Sequence, residues 1–144
     1  MEQRISLVTL GVADVSRSLE FYKSLGWSGQ EVNETVFFQA GGIGVVLWQQ
    51  DKLAIDASVE KFAGLGFRGV AIAHNVRTKD EVDRVIAAAQ AAGGVITKAP
   101  AETFYGGYAG YFADPDGHLW EIADNPGFTL NADGTLTIPE FGDQ

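Results

Sequence analysis

The sequence predicts a single α+β domain made of two βαβββ modules. Three observations support this. The pattern of one strand, one helix and three strands occurs twice, both predicted helices have capping residues at their ends, and 144 residues is an ordinary length for one domain. The modules are expected at about residues 4–50 and 69–124. Residues 51–68 form a linker between them, and residues 125–144 form an acidic tail.

The first module begins with a strand, because residues 5–12 are rich in β-branched and aliphatic side chains. Asp14 can cap the following helix, in which apolar residues recur every three or four positions from Val15 to Leu25. Gly26 stands where a helix commonly ends in a left-handed conformation. The three strands that complete the module are predicted at residues 31–34, 36–40 and 43–49.

The second module repeats this order, starting with a strand at residues 69–76. Thr78 and Glu81 form a capping box for the next helix, which is expected to stop at Gly93 and Gly94. The last three strands are predicted at residues 95–99, 108–113 and 119–124, and the final two are joined by an Asp-Pro-Asp-Gly turn.

The linker and the tail have weaker patterns. We expect a short helix around residues 56–63 in the linker, which is polar and only weakly periodic. In the tail, residues 129–138 resemble a small hairpin. Because an isolated hairpin is only marginally stable, we expect it to pack on the body of the protein or on a second subunit.

The composition excludes several classes of function. Nineteen acidic and ten basic residues give a net charge of −9, which disfavours nucleic acid and anionic membranes as partners but allows a cationic small molecule. The chain has no cysteine, so disulfides, thiolate metal sites and cysteine nucleophiles are excluded. No apolar run approaches the roughly 18 residues of a membrane span, and the first residues lack a signal-peptide pattern. We therefore expect a cytoplasmic protein.

Each module carries one longer sequence motif. The motifs are Val8-Thr9-Leu10-x-Val12-x-Asp14 with Ser18-Leu19-x-Phe21-Tyr22-x-x-Leu25-Gly26, and Tyr111-Phe112-x-Asp114-Pro115-Asp116-Gly117-His118-x-Trp120-Glu121. Through these motifs the sequence resembles the vicinal oxygen chelate superfamily, which includes glyoxalase I, the bleomycin-resistance proteins and the extradiol dioxygenases. The resemblance covers about residues 4–124 and implies curved sheets around a ligand cavity.

The same resemblance implies four positions that hold a metal ion in the enzymes of the superfamily. In this sequence they fall on Leu7, Val46, Ala71 and Glu121. Only Glu121 has a donor atom, and one carboxylate does not hold a divalent ion tightly. We therefore predict no metal and no other cofactor, with a divalent metal as the alternative.

The two histidines could in principle rebuild a metal site with Glu121, since two histidines and one carboxylate are a known ligand set. Strand alternation argues against this for His74, which falls on the helix side of its strand and is expected to be buried there. His118 follows the turn and is expected to be a surface residue.

Strand alternation also predicts the residues that line the cavity. The candidate ligand-binding residues from the strands are Leu7, Thr9, Val46, Trp48, Ala71, Asn75 and Glu121. Tyr105 and Tyr108 join them, because they lie in a run in which aromatic residues alternate with glycines. Glu121 has two interpretations: a solvated or Arg-paired relic, or a buried carboxylate that acts as a general base or as the counter-ion of a cation.

Three hypotheses about function follow. The first is metal-independent binding or sequestration of a small hydrophobic molecule, which can be cationic, by a homodimer that resembles the bleomycin-resistance branch. The second is a glyoxalase-like lyase or isomerase, or a dioxygenase, with Glu121 as the candidate catalytic base or metal ligand. The third is a dimeric interaction module with a closed interior.

Overall fold

The computed structural model describes residues 1–61, 64 and 66–142. The elements of the first half are β1 (Leu7–Val12), α1 (Val15–Ser24), β2 (Gly29–Val32), β3 (Thr35–Ala40), β4 (Ile43–Gln49) and α2 (Gln50–Asp56). Those of the second half are β5 (Ala71–Asn75), α3 (Lys79–Ala91), β6 (Val95–Glu102), β7 (Tyr108–Ala113), β8 (Leu119–Asp124), β9 (Thr129–Leu130) and β10 (Leu136–Thr137). None of these helices is long and apolar enough to span a membrane.

The strands form two four-stranded sheets with the same topology. Sheet 1 has the order β1-β4-β3-β2, and sheet 2 has the order β5-β8-β7-β6. In each sheet the first and last strands of the module, β1 with β4 and β5 with β8, run parallel, while the other neighbours are antiparallel. This arrangement confirms the predicted α+β fold with two βαβββ modules.

Helices α1 and α3 begin and end where the sequence predicts. An Asp14 carboxylate oxygen accepts a hydrogen bond from the Arg17 amide at 3.0 Å, and the Thr78 hydroxyl caps α3 in the same way at 3.2 Å. Just after the helices, Gly26 and Gly93 have φ values of 95° and 105°. Glycine adopts this left-handed conformation without the steric cost that a side chain would bring.

Strand β2 lies two residues earlier than predicted, at Gly29–Val32 instead of 31–34. The reason is the turn that follows it. Asn33 and Glu34 have positive φ values of 50° and 61°, which is the conformation of a two-residue hairpin turn between β2 and β3.

The linker helix also lies earlier than predicted. Helix α2 spans Gln50–Asp56 and follows β4 without a break, whereas the prediction placed a helix at residues 56–63. Within that range residues 57–61 are not helical, and residues 62 and 63 lie outside the described part of the chain. The residues of α2 are mostly good helix formers, and Leu53 packs against Gly11 of β1, which explains the shift.

Both sheets direct one face towards α1 and α3, and we call this side the helix face of each sheet. It consists of Leu10, Val12, Val36, Phe38, Val45 and Leu47 in sheet 1 and of Phe112, Trp120 and Ile122 in sheet 2. These residues form one continuous buried cluster with side chains of α1 and α3. Because burial of apolar surface is the main stabilising term in folding, this shared core holds the two modules together.

Aromatic side chains make the contact between the two helix faces. The ring of Tyr22 in α1 lies 5.8 Å from that of Phe38 and 6.0 Å from that of Trp120, measured between centroids. Trp27 contacts the same two rings at 5.2 Å and 5.7 Å. Since the helix faces meet in one core, the opposite sides of the two sheets point away from each other within one chain.

The Asp-Pro-Asp-Gly turn between β7 and β8 fastens the second module to the first. Asp114, 3% exposed, accepts a hydrogen bond from the Tyr22 hydroxyl at 2.7 Å. One oxygen of Asp116 accepts from the Ala13 amide at 2.8 Å and from the Arg17 guanidinium at 2.9 Å. The turn motif therefore has a structural role in joining the modules.

The tail forms the predicted small hairpin from β9 and β10. The guanidinium of Arg77 donates hydrogen bonds to the carbonyl oxygens of Leu130 at 3.0 Å and Asn131 at 2.8 Å. These bonds attach the hairpin next to the start of α3, as expected for a hairpin that needs support from the body. The last two residues, 143 and 144, lie outside the described residues.

Candidate functional site

The side of each sheet opposite its helix face carries most of the predicted ligand-binding residues, and we call it the open face. In sheet 1 the open face contains Leu7, Thr9, Phe37, Val46 and Trp48, and in sheet 2 it contains Ala71, Ala73, Asn75, Tyr111 and Glu121. The strand register places Thr9 opposite Val46 in sheet 1 and Glu121 between Ala73 and Tyr111 in sheet 2. Side chains directly opposite each other on paired strands lie on the same face.

Glu121 is an acidic side chain at the centre of the open face of sheet 2. It lies in the middle of β8, is half-buried, and accepts a hydrogen bond from the hydroxyl of Tyr111 on β7. The described part of the chain provides no ion pair for Glu121. The carboxylate is therefore held by a phenol rather than by a cation.

This contact makes Tyr111 hold its proton more firmly than an ordinary tyrosine. The hydrogen bond to Glu121, with help from partial burial and the negative charge of the carboxylate, raises the pKa of Tyr111 to about 12. The phenol is therefore a hydrogen-bond donor at every pH at which the protein is expected to work. A tyrosine and a carboxylate in direct contact can bind a polar group or exchange a proton with it.

Small side chains surround Glu121. Ala73 is its direct neighbour on β5, and Ala109 and Ala123 are buried on the same face. Because these side chains end at Cβ, the floor around the carboxylate is flat and apolar. Asn75 and Leu119 provide a polar and an apolar side chain at the rim of this floor.

The open face of sheet 1 is apolar and carries larger side chains. Leu7 and Phe37 are 52% and 46% exposed, Thr9 and Trp48 are half-buried, and Val46 is buried. Exposed large apolar side chains next to one another are a feature of binding surfaces.

Helix α2 covers one end of this face. Leu53 of α2 lies over Gly11 of β1, and a crevice of about 270 Å³ remains between the helix and the strand. Thr9, Arg68 and His118 are among the residues that line this crevice. Thr9 is therefore the predicted site residue that borders an existing depression.

The predicted site residues fall into two groups that one chain does not bring together. Leu7, Thr9, Val46 and Trp48 share the open face of sheet 1, whereas Ala71, Asn75 and Glu121 share that of sheet 2. The grouping within each sheet follows the alternation that the sequence predicts. The two groups lie on opposite sides of the chain because the helix faces, and not the open faces, form the common core.

The two tyrosines proposed from the glycine-rich run lie in different places. Tyr105 is in the turn before β7, 42% exposed, and its ring lies 5.2 Å from that of Phe104. Its proximity to Tyr111 contributes to the raised pKa of Tyr111, so Tyr105 borders the open face of sheet 2. Tyr108 lies on the helix face, where its hydroxyl donates to Asp83 of α3 at 2.7 Å. Tyr108 and Glu121 are on opposite faces and do not form one site.

Both histidines differ from their expected environments. His74 lies on the helix face of β5, as predicted, but is exposed instead of buried, because α3 does not extend over it. Protein atoms on one side of its ring lower its pKa, an effect that the charge of Glu81 opposes. His118 is half-buried instead of exposed. Its Nε2 lies 2.8 Å from the Gly11 carbonyl oxygen, to which it can donate, because the turn brings it against β1.

The donor atoms present do not fit a divalent metal ion. Leu7, Val46 and Ala71, at three of the four positions implied by the resemblance, have no donor. Throughout residues 1–61, 64 and 66–142, no group of three or more histidine, aspartate or glutamate side chains could hold a metal ion. Tight sites for divalent ions need about three or more protein ligands.

Sequence reasoning missed Tyr111 as a functional candidate. The signal was available, because the tight turn between β7 and β8 fixes their antiparallel register. Counting outward from that turn places Tyr111 directly opposite Glu121.

The fold and the open faces place the chain in a class of proteins built from two βαβββ modules. Comparison with family models identifies the family. The model for the Glyoxalase/Bleomycin resistance protein/Dioxygenase superfamily matches residues 4–122. The chain belongs to this superfamily.

Solved structures with the same fold support this assignment. A glyoxalase-related enzyme from Fulvimarina pelagi is 35% identical, with a TM-score of 0.88 over 96% of this chain and 100% of that chain. A hypothetical protein from S. aureus is 27% identical, with a TM-score of 0.76 over 86% and 94% of the two chains. A fosfomycin resistance protein from Mesorhizobium loti is 23% identical, with a TM-score of 0.65 over 87% and 94%, a likeness of fold alone. Among the curated proteins, the search finds no match.

Proposed function

We propose that the protein is a homodimer that binds and sequesters a small hydrophobic molecule, which can be cationic, without a metal ion. This is a function of the bleomycin-resistance kind, carried out in the cytoplasm. The observation that carries the proposal is the composition of the open faces. They carry mostly small or apolar side chains, and Glu121, their central acidic group, is bound to Tyr111 where a metal enzyme needs further ligands.

The arrangement of the open faces supports a dimer. Each chain presents an apolar half-site on one side and the Glu121 half-site on the other. A second copy whose sheet 1 lies over sheet 2 of the first would bring the two kinds of half-site together. The bulky Phe37 and Trp48 of one face would then stand across from the alanines around Glu121 on the other. The ligand would lie in the space between the two faces, as a concave and mostly apolar site requires.

A ligand screen by thermal shift tests the proposal. Apolar and amphiphilic molecules should raise the unfolding temperature, since a ligand at 100 times its Kd stabilises a protein by about 2.7 kcal/mol. Divalent metal ions at the same excess should not. Leu7→Lys, a change at an exposed position of sheet 1, should weaken the best hits about tenfold. The matched control Ala87→Lys, on the exposed surface of α3, should not.

Two results would contradict the proposal. One is a stoichiometric divalent ion in protein that has been dialysed against metal-free buffer. The other is a screen in which no small molecule stabilises the protein. If the protein is then still a dimer, the third hypothesis, an interaction module, is favoured.

A lyase or isomerase with Glu121 as base is the second candidate, because the Glu121–Tyr111 contact joins a possible base to a possible acid. One solved relative is described as a glyoxalase-related enzyme, and a more distant one as a lactoylglutathione lyase. The test is formation of lactoylglutathione by the purified protein, compared with Glu121→Gln. Turnover that the substitution abolishes would favour this candidate over sequestration.

A further inference from the structure

The contact between Tyr111 and Glu121 leads to a more specific statement about the ligand. We propose that Tyr111 is a positioning residue, which fixes one oxygen of Glu121 so that the other oxygen binds a primary ammonium group of the ligand. This inference rests on the proposed function, because it concerns the same open face of sheet 2.

The first step is the state of the two carboxylate oxygens. Oε2 of Glu121 is occupied by the Tyr111 hydroxyl, and within the described residues Oε1 has no hydrogen-bond partner. Tyr111 stands directly opposite Glu121 on the neighbouring strand, so the sheet itself fixes the geometry. A carboxylate held in this way presents its second oxygen in one direction at little cost in side-chain entropy.

The second step is the space around Oε1. On the other side of Glu121, the neighbouring strand carries Ala73, whose side chain ends at Cβ. Ala71, two residues from Ala73 on β5, and Ala123, two residues from Glu121 on β8, lie on the same face. A small head group can therefore approach the carboxylate from the side away from Tyr111, with its apolar body on the alanine floor. Tyr105, at the rim, offers an aromatic ring to a cation.

The third step is charge. Glu121 makes no ion pair in the described part of the chain. The backbone of Lys98 on β6 lies opposite that of Tyr111, on the side away from Glu121, so the backbones of Lys98 and Glu121 are two strand spacings or about 10 Å apart. The strand residues of the open face of sheet 1 include no lysine or arginine. This face of a second copy would therefore bring no counter-ion to Glu121. The ligand is then the source of the positive charge.

Hydrogen-bond chemistry selects the kind of cation. A primary ammonium group has three N–H donors and forms a short, charge-assisted bond to a carboxylate oxygen. A trimethylammonium group has the same charge but no donor. The proposal therefore predicts a preference among three probes of one shape, namely 2-phenylethylammonium, its trimethylammonium analogue and 2-phenylethanol.

Titration of the full-length protein with these probes, followed by amide NMR shifts, tests the inference. The primary ammonium should bind about tenfold more tightly than the alcohol and more tightly than the trimethylammonium compound. The largest shifts should fall in residues 71–75, 109–111 and 119–123. Glu121→Gln should bring the ratio of the ammonium affinity to the alcohol affinity close to one, and Tyr111→Phe should lower this ratio about threefold.

Tyr108→Phe is the matched control. It also removes a tyrosine hydroxyl that donates to a carboxylate, that of Asp83, but on the helix face of the same sheet. It should leave the ratio unchanged. Lys98→Met should change the ratio by less than twofold, and a larger rise would mean that Lys98 already neutralises Glu121, which would overturn the inference.

The remaining outcomes separate the inference from the proposed function. If the ammonium and the alcohol bind equally and Glu121→Gln changes neither, sequestration stands and the inference fails. If Tyr111→Phe weakens both probes by the same factor, its role is structural and the positioning role is refuted. If no probe binds at this face, both proposals fail.

Discussion

Among the residues that the structure describes, three tyrosine hydroxyls donate to carboxylates, and the surroundings of these pairs suit them to different roles. Tyr22–Asp114 is buried between the modules, Tyr108–Asp83 lies at the surface, and Tyr111–Glu121 lies on an open sheet face. A hydrogen bond is worth more where its loss leaves a buried group without a partner, because that group cannot turn to water instead. The same chemistry therefore serves stability in the first pair, whereas for the third pair we propose a role in ligand binding.

The buried pair gives the first prediction on stability. Asp114 accepts from Tyr22 through one oxygen, and through the other from the amides of Asp116 and His118 at 2.9 Å and 2.8 Å. Asp114→Asn should lower the free energy of unfolding by about 2 kcal/mol, since an amide cannot accept all three bonds. Urea unfolding measures this loss.

The surface pair supplies the control for that measurement. Asp83→Asn changes a tyrosine–carboxylate bond of the same length, 2.7 Å, into a tyrosine–amide bond at the surface, where water can satisfy any group that is left without a partner. It should change the free energy of unfolding by less than about 0.5 kcal/mol. Equal losses for the two substitutions would contradict the view that burial decides the difference.

The helices and strands meet at sharply defined junctions, and the one between α3 and β6 is closed by backbone contacts. Gly94 lies there against backbone atoms of two other elements. A Cβ atom at this position would come within 2.9 Å of the Ala89 carbonyl oxygen and 3.1 Å of that of Ala113. Backbone atoms cannot move aside as the end of a flexible side chain can, so this junction requires glycine.

Gly94→Ala should therefore destabilise the protein by about 1–3 kcal/mol, the usual cost of overpacking. The matched control is Gly42→Ala in the β3–β4 turn, where a Cβ atom would meet nothing within 4 Å. That substitution should be neutral or slightly stabilising, since alanine also restricts the unfolded chain. Thermal unfolding of the two variants compares them, and similar melting temperatures would contradict the account of the junction.

Local patterns predicted α1 and α3 but misplaced α2, and the difference has a physical cause. The two longer helices have side-chain caps and an apolar stripe that the core requires, and both signals are local in sequence. Helix α2 has seven residues, no side-chain cap and no fully buried side chain. Its position depends on a contact between Leu53 and Gly11, residues that are far apart in the sequence.

The complete protein is expected to be a dimer through its open faces. Phe37→Glu, at an exposed position in the middle of the open face of sheet 1, should convert it to monomers by placing a charge in the interface. Light scattering after size exclusion measures the mass. Ala87→Glu on α3 is the control and should remain dimeric. A wild-type monomer at micromolar concentration would contradict the proposed composite site.

The sequence by itself determined the two modules, the caps of the main helices and the residues that share each sheet face. It also determined that the side chains of Leu7, Val46 and Ala71 have no donor atom for a metal ion, because residue identity and strand alternation are local properties. Only the tertiary structure decided that the two helix faces meet, that the two groups of candidate residues lie apart, and that Tyr111 holds Glu121. These features depend on which apolar surfaces pack against each other, and here the rings of Tyr22, Trp27 and Trp120, from distant parts of the chain, pack together.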